Sequence, residues 1–181
     1  YSGGKILKVV KKPTKKDDLQ DSIIAVFDEL LQGREAKDIS QVTLSTTLVT
    51  NLLATGGGDE AALILIPGPG LNLRQLQLFP SAYIVRGATD FRGRIIEPLD
   101  KAQIEKVGER IAAAGIHKVA VVGKFSHRNG AHEFQVGEIL KEKHPHLQVV
   151  RGFEVSGQLN FLRRAVTTYY TAVTMDKWAG F

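Results

Sequence analysis

An uninterrupted apolar run from Ala61 to Ile66 constrains the fold more than any other feature of this sequence. The run lacks the alternation of apolar and polar residues that a strand with one solvated face would have. Such runs are typical of strands buried on both faces, as in a parallel sheet covered by helices. The segment from Lys118 to Val122 has the same character and predicts a second buried strand.

The other patterns alternate between short strands and amphipathic helices. Further strands are predicted at Ile6 to Val10, Val42 to Leu44, Ala82 to Arg86 and Leu147 to Val150. Helices are predicted over Leu19 to Leu31, Leu48 to Leu53, Asp100 to Gly115, Asn129 to Lys143 and Gln158 to Met175. This order predicts one layered α/β domain over residues 1–181, with a mixed, partly parallel sheet.

Capping residues give the most specific local signals for the helix starts. Thr14 and Asp17 resemble a capping box before the first helix. Asp100 is predicted to cap the third helix, with Gln103 completing a capping box. Asn129 is predicted to be the N-cap of the fourth.

Ligands of parallel α/β sheets bind beyond the carboxyl ends of the strands. Three predicted loops leave strands at that edge, namely Ser45 to Thr47, Pro67 to Asn72 and Gly123 to Asn129, whereas Gly87 to Arg94 is predicted to be an irregular loop. The first loop combines hydroxyls with the free N–H groups of a helix start, which can bind an anion or a polar substrate. The alternative is a plain Ser/Thr N-cap with no ligand.

Composition excludes several classes of protein. The sequence has no cysteine, which excludes disulfides and cysteine nucleophiles and agrees with a cytoplasmic location. No apolar stretch reaches the roughly 18 residues that a membrane helix needs, so we expect no membrane partner. The net charge is +5, and much of it lies in lysines between Lys5 and Lys16. Because no aromatic residues interleave with them, we expect a solvated strand edge and no nucleic-acid partner.

The common catalytic and phosphate-binding motifs are absent. There is no P-loop, no complete dinucleotide fingerprint, no His-Glu-x-x-His and no Gly-x-Ser-x-Gly. Gly56 to Gly58 follows a helix and is predicted to end it. His127, His132 and Glu133 leave open the alternative of a metal triad, but we predict no metal ligand.

Two polar segments carry a resemblance to a known family. Ser45-Thr46-Thr47-Leu48-Val49-Thr50-Asn51 is similar to a Gly-Thr-Thr-x-x-x-Asn motif, and Phe125-Ser126-His127-Arg128-Asn129-Gly130-Ala131-His132-Glu133 to Phe/His-Ser-x-x-Asn-Pro-x-His-Glu. Shorter matches are Asp90-Phe91-Arg92-Gly93-Arg94, Pro98-Leu99-Asp100, Glu154-Val155, Arg163 or Arg164, and Thr167-Thr168. In this order they resemble the amino-terminal region of the hydantoinase/oxoprolinase family, with Ser45 in place of Gly and Gly130 in place of Pro.

The resemblance implies a ribonuclease H-like fold of the actin-like ATPase type. It also implies ATP-dependent opening of a small cyclic amide, such as a hydantoin or 5-oxoproline, with ATP and Mg²⁺ as cofactors of the full-length protein and a second hydantoinase-type subunit as a possible partner. The residues expected to act in catalysis are Asn129, His132 and Glu133. Those expected to bind substrate or phosphate are Ser45, Thr46, Thr47, Asn51 and Arg163.

The same resemblance limits what the chain alone is expected to do. The family begins with a strand and an Asp-x-Gly-Gly-Thr turn, whereas this chain begins at Tyr1-Ser2-Gly3-Gly4. We therefore expect an inactive fragment of the amino-terminal domain without the first strand and phosphate turn. Two alternatives stay open: a non-catalytic binding or assembly module that retains the fold, and a subunit of a ketone carboxylase.

Overall fold

A computed structural model describes residues 5–13, 19–33, 35, 37, 39–43, 47–56, 58–72 and 79–179 of the chain. Residues 1–47 belong to one compact unit and residues 48–180 to a second. None of the described helices is both long and apolar enough to cross a membrane.

The first unit contains one helix, α1 (Leu19–Leu31), in its described part, as predicted. The chain leaves this helix through Gly33, whose φ of +76° suits glycine. Near the helix end, Glu29 forms a salt bridge of 2.9 Å with Lys12. The capping box predicted at Thr14 and Asp17 lies outside the described residues.

Two predicted strands in the first unit are wrong. Residues 6–10 are not in a strand, and both Ile6 and Val9 are largely exposed. Val42 and Thr43 are not in a strand either, and both are exposed, while Leu44 lies outside the described residues. The physical reason is the same in both places, because apolar residues that face water have no core to bury them in a sheet.

The second unit is built on a four-stranded parallel sheet. Its strands are β1 (Ala61–Ile66), β2 (Ala82–Ile84), β5 (Lys118–Gly123) and β6 (Gln148–Arg151), in the spatial order β2-β1-β5-β6. Every residue of β1 and of β5 is buried. The two apolar runs therefore form the central, doubly covered strands, and the predicted α/β class with a parallel sheet is confirmed.

Helices cover both faces of this sheet, and β1 divides its side chains between them. Ala62, Ile64 and Ile66 join a core with α3 (Lys101–Ala113) and α4 (Ala131–Lys143). Ala61, Leu63 and Leu65 join a core with α6 (Phe161–Ala179) on the other face. This division follows from the two-residue period of a strand. The second unit has two further, short helices, α2 (Leu48–Ala54) and α5 (Gly152–Val155).

A short antiparallel ribbon occupies the segment that is predicted to be an irregular loop. β3 (Ala88–Thr89) pairs with β4 (Ile95–Glu97). Asp90 makes the connection tight, because one of its carboxylate oxygens accepts the N–H groups of Arg92 and Arg94, each at 2.9 Å. The predicted loop from Gly87 to Arg94 is confirmed except at Ala88 and Thr89, which form β3 because this side-chain turn brings them beside β4.

The helix caps agree with the predictions only in part. Asp100 caps α3 by accepting the N–H of Gln103 at 3.1 Å, as predicted. The Gln103 side chain does not complete a capping box. Instead it accepts the N–H of Arg86 at 2.8 Å and donates to the carbonyl of Ile84 at 3.1 Å, and thus ties α3 to the end of β2. Since Arg86 and Ile84 offer a donor and an acceptor together, they satisfy the amide better than one N–H could.

Candidate functional site

Two of the three predicted loops meet at the carboxyl edge of the sheet. The last residues of β1 and β5, Ile66 and Gly123, lie side by side in the sheet. Lys124 then joins the loops that follow, because its N–H donates to the Ile66 carbonyl at 2.8 Å and its ammonium to the Pro69 carbonyl at 3.0 Å. The edge where parallel sheets bind ligands is therefore formed by these two loops.

The β5–α4 loop, residues 124–130, contains a strained residue. Phe125 has a φ of +63°, the left-handed conformation that residues other than glycine rarely adopt. Two backbone hydrogen bonds maintain it, from Ser126 N–H to the Gly123 carbonyl at 3.2 Å and from Arg128 N–H to the Phe125 carbonyl at 2.8 Å. Strain that the surrounding structure maintains in this way is found most often at functional sites.

Glu133, in the first turn of α4, is fully buried and bonded to backbone on both oxygens. Oε1 accepts the N–H of Gly123 at 2.8 Å, and Oε2 accepts the N–H of Phe153 at 2.9 Å. Burial raises the pKa of Glu133, although these two N–H groups and the nearby Ser126 hydroxyl and Arg164 oppose the rise. The carboxylate therefore connects α4 to the end of β5 and to α5.

Arg164, on α6, reaches Gly123 from the other face of the sheet. It is fully buried, its Nη2 donates to the Gly123 carbonyl at 2.6 Å, and its Nη1 donates to the carbonyl of Gln158. Burial lowers the pKa of the guanidinium, and the charge of Glu133 opposes this effect. The guanidinium thus connects the Gly123 carbonyl at the end of β5 to the segment before α6 and fixes the start of the β5–α4 loop.

Two histidines lie in or next to this loop, and their surroundings lower the pKa of both. His132 is buried on α4, and this burial lowers its pKa. His127 is half-buried, and burial, then Arg164 and Arg128, lower its pKa. Within the described part of the chain, His132 Nε2 and His127 Nδ1 are buried without a hydrogen-bond partner.

Asn129 fixes the other end of the loop. Its Nδ2 donates to the carbonyl of Gly93 in the β3–β4 turn at 2.8 Å, and its Oδ1 accepts the N–H of Ala131 at 3.0 Å. The N-cap position itself belongs to Gly130, so the cap predicted at Asn129 is wrong by one residue. The side chain still serves the helix start, because it satisfies the first free N–H group of α4.

Comparison with known proteins places the chain in a family. Residues 1–144 match the sequence model of the hydantoinase/oxoprolinase N-terminal region. The chain belongs to the hydantoinase/oxoprolinase family. This membership confirms the resemblance that the motifs carried.

Two solved structures share the fold of this family member. An ATP-dependent caprolactamase from Pseudomonas jessenii superposes with a TM-score of 0.70 and 21% identity, over 96% of this chain and 29% of that one. Acetone carboxylase in its nucleotide-free form superposes with a TM-score of 0.71 and 16% identity, over 91% of this chain and 28% of that one. An uncharacterised protein of Methanocaldococcus jannaschii is 28% identical over 90 residues, which is 50% of this chain and 13% of that protein. The chain thus spans less than a third of each relative's length.

The hydantoinase/oxoprolinase motif residues are dispersed over both units. Ser45 and Thr46 lie outside the described residues, and Thr47 is exposed at the end of the first unit. Asn51 is exposed on α2, and Arg163 is exposed on α6. Asn129, His132 and Glu133 lie together at the β5–α4 junction. Among the described residues, no group of three or more His, Cys, Asp or Glu side chains is placed so that it could hold a metal ion.

Arg164 is the main member of this site that sequence reasoning does not select. The motif allows either arginine, and the prediction favours Arg163. The phase of α6 could have decided between them, because the buried residues Phe161, Ala165 and Thr168 recur at helical spacing and Arg164 lies on the same face. Arg163 then falls on the solvated face.

Proposed function

We propose that the full-length protein is an ATP-dependent hydrolase that opens a small cyclic amide. ATP would transfer its γ-phosphoryl group to the amide oxygen and leave as ADP. Water would then attack the activated carbon, the ring C–N bond would break, and inorganic phosphate would leave. The observation that carries the proposal is the carboxyl edge of the sheet, where Lys124 joins the loops after β1 and β5 and where Glu133 and Arg164 bind Gly123 at the end of β5. The solved relative described as an ATP-dependent caprolactamase supports the choice of a lactam-like ring.

In this proposal the junction residues support the reaction by position. Asn129 and Glu133 hold the β5–α4 loop by binding backbone groups, and His132 is buried, which lowers its pKa. Asn129, His132 and Glu133 would polarise the substrate or relay protons. The residues proposed to bind substrate or phosphate are Ser45, Thr46, Thr47, Asn51 and Arg163. Phosphoryl transfer depends mainly on such positioning and on charge stabilisation.

ATP and Mg²⁺ are the cofactors of the proposed reaction. Mg²⁺ would arrive on the phosphates of the nucleotide, because proteins commonly bind this ion through substrate phosphates and one or two carboxylates. The proposal includes an actin-like ATPase fold for the complete domain, a cytoplasmic location and a second hydantoinase-type subunit. Phosphate positioning by backbone N–H groups at a strand-to-helix loop is the chemistry that this fold edge supports.

A second candidate function is a subunit of an ATP-dependent ketone carboxylase. The superposition on acetone carboxylase, with a TM-score of 0.71, favours it. In that reaction ATP would transfer its γ-phosphoryl group to an enolate oxygen and leave as ADP, and the same loops would position the reactants. A third possibility, a binding module without turnover, requires only that the fold be retained.

ATP turnover by the full-length protein separates these functions. The protein would be assayed with caprolactam, hydantoin or 5-oxoproline, and separately with acetone and bicarbonate. We expect ADP release to depend on a cyclic amide and to fall at least tenfold in Asn129→Ala, which loses the bond to Gly93. Lys106→Ala, on the exposed face of α3, is the control. ADP release with acetone and bicarbonate alone would assign the carboxylase, and no ADP release with any substrate would contradict both enzymes.

A further inference from the structure

The β3–β4 ribbon exposes three large apolar side chains within six consecutive residues. Phe91 is 64% exposed, Ile95 48% and Ile96 57%. The other strand of the ribbon differs, because Ala88 and Thr89 in β3 are both buried. Single exposed apolar residues are common on proteins, whereas clustered ones mark surfaces that bind another molecule. The ribbon patch comprises Phe91, Arg92, Ile95 and Ile96.

Hydrogen bonds keep the ribbon patch in one conformation. The Gly93 N–H donates to the Asp90 carbonyl, and the Asp90 N–H donates to the Arg94 carbonyl, both at 2.9 Å. These bonds close a β-turn with the first two members of the patch at its corners. Asn129 holds the turn from outside, because its Nδ2 donates to the Gly93 carbonyl at 2.8 Å. A surface that is ordered before binding loses little conformational entropy when a partner covers it.

Arginines give the surroundings of the ribbon patch a positive charge. Arg92 lies over the Phe91 ring, with 5.3 Å between its Cζ and the ring centroid. Arg128 borders the turn from the β5–α4 loop, because a Cβ at Gly93 would lie 3.2 Å from the Arg128 Cβ. Both arginines are exposed, and neither forms a salt bridge with a described residue. An acidic surface would complement their charge. The arginines neutralised within the ribbon are Arg86, by Glu97 at 3.3 Å, and Arg94, by Asp90 at 2.7 Å.

We propose that the ribbon patch docks into an apolar cleft lined by carboxylates, on a part of the full-length protein outside residues 1–181. The chain spans less than a third of the length of each relative, and a protein of that length has enough further surface to supply this cleft. A second copy fits less well, because a symmetric contact between two identical patches would bring Arg92 and Arg128 against their equivalents. Docking would also support the β5–α4 loop, since Asn129 connects that loop to Gly93. Neither ATP nor a cyclic amide takes part in this contact.

Maleimide labelling of the purified full-length protein tests whether the ribbon patch is covered. Residues 1–181 contain no cysteine, so Ile96→Cys introduces the first thiol there, and mass spectrometry of its peptide reports the label at that position. Glu109→Cys, on the exposed face of α3, is the matched control. We expect Ile96→Cys to react at least about tenfold more slowly than the control, because it reacts only when the docked state opens. Ile95→Cys repeats the measurement if Ile96→Cys does not fold.

Charge reversal tests the acidic character of the cleft. In the Ile96→Cys background, Arg92→Glu should raise the labelling rate about tenfold, because like charges across the contact favour the open state. Arg110→Glu, which reverses an exposed charge on α3, should leave the rate unchanged. A labelling rate that Arg92→Glu does not alter would overturn the assignment of carboxylates to the cleft.

The remaining outcomes separate the possible occupants. Labelling of Ile96→Cys as fast as that of Glu109→Cys would overturn the docking, since the full-length protein would then leave the ribbon patch open to solvent or to a separate subunit. Protection that disappears on dilution would overturn it in favour of a second copy. Thermal unfolding curves would verify that each variant is folded. Because no nucleotide or lactam is added, a covered patch in a protein without ATP turnover would contradict only the proposed function, and turnover with an open patch would contradict only the docking.

Discussion

Glu133 and Arg164 bind the two backbone groups of one residue, Gly123. The Gly123 N–H donates to Glu133 Oε1 at 2.8 Å, and its carbonyl accepts from Arg164 Nη2 at 2.6 Å. The two buried charges thus act on each other across a single peptide residue at the end of β5. Hydrogen bonds to charged groups are about twice as strong as neutral ones, so both contacts fix where the β5–α4 loop begins.

This relationship makes the loop dependent on both faces of the sheet. Glu133 comes from α4 on one face and Arg164 from α6 on the other. A displacement of either helix would move Gly123 and with it the strained turn at Phe125. The candidate site is therefore positioned by the core of the second unit and not by the loop sequence alone.

Replacement of Glu133 should lower the free energy of unfolding. Glu133→Ala leaves the N–H groups of Gly123 and Phe153 without acceptors, which should cost about 2–5 kcal/mol in total. Glu133→Gln keeps one acceptor oxygen and removes a buried charge, so its loss should be smaller. Urea unfolding measures both, with Glu138→Ala on the exposed face of α4 as the control. Equal stability of Glu133→Ala and wild type would refute the structural role.

The stability difference between wild type and His132→Leu should depend on pH. Burial lowers the pKa of His132 below its ordinary value of 6.5, so the unfolded chain takes up a proton at a higher pH than the folded chain. The contribution of His132 to stability is therefore complete above pH 6.5 and is lost as the pH falls toward the lowered pKa.

The leucine side chain of that variant binds no proton. As the pH falls from 6.5 toward the lowered pKa, the free energy of unfolding of His132→Leu should therefore rise relative to that of wild type by up to about 1.4 kcal/mol per pH unit. Urea unfolding at pH 7.5, 6.5 and 5.5 gives the difference directly. His127→Asn should show a similar gain, because burial and the two arginines lower the pKa of His127 as well. A difference that stays constant over this range would mean that His132 titrates alike in both states.

The central sheet could be predicted from sequence because its strands are buried on both faces. β1 and β5 are marked by apolar content alone, whatever surrounds them. The ribbon of β3 and β4 could not be predicted in this way. Its strands are too short to show a period, and they pair because Asp90 closes the turn and Asn129 binds Gly93.

The candidate site could be predicted only where a motif or a helical phase marked it. Asn129, His132 and Glu133 follow from their motif, and Arg164 could have been found from the phase of α6. The partners of Glu133 could not, since Gly123 and Phe153 lie 10 and 20 residues away and meet it only after the helices pack. The burial that lowers the pKa of His127 and His132 is likewise a property of the packed structure.

Lys118, the first residue of β5, should stabilise the fold through its buried positive charge. Its side chain is 5% exposed, and its ammonium forms salt bridges with Asp59 and, at 2.7 Å, with Asp176. Replacing both partners by Asn leaves the ammonium buried and unpaired, at a cost of about 3–5 kcal/mol. Lys118→Met should cost less, because Asp59 and Asp176 are 42% and 53% exposed and would stay hydrated.

Chemical denaturation tests whether the double Asn variant loses more free energy of unfolding than Lys118→Met does. Lys143→Met is the matched control, since its salt bridge with Glu105 at 3.8 Å is exposed and should contribute little. Burial lowers the pKa of Lys118, but its bonds to Asp176 and Asp59 outweigh this and raise it overall above 10.5. The stabilisation should therefore persist below pH 10.5 and disappear as the pH rises through the raised pKa. If Lys118→Met lost more free energy of unfolding than the double Asn variant, the prediction that the unpaired buried ammonium is the costlier change would be wrong.

Gly130→Ala should destabilise the protein through a single contact. A Cβ at this position would lie 2.6 Å from a ring carbon of Phe153, far inside a normal contact. Phe153 cannot move freely, because its N–H binds Glu133. Overpacking of this kind costs about 1–3 kcal/mol, whereas Gly157→Ala, with nothing within 4 Å, is a control that should cost little.

A double-mutant cycle with Phe153→Leu would show whether Phe153 is the cause. If the ring blocks the Cβ, Gly130→Ala should cost at least about 0.5 kcal/mol less in the Phe153→Leu background than in wild type. The backbone φ of −78° at Gly130 also suits proline, the residue that this family usually has there. We therefore expect Gly130→Pro to be tolerated better when residue 153 is smaller, and equal costs of Gly130→Ala in both backgrounds would exclude Phe153 as the reason for glycine.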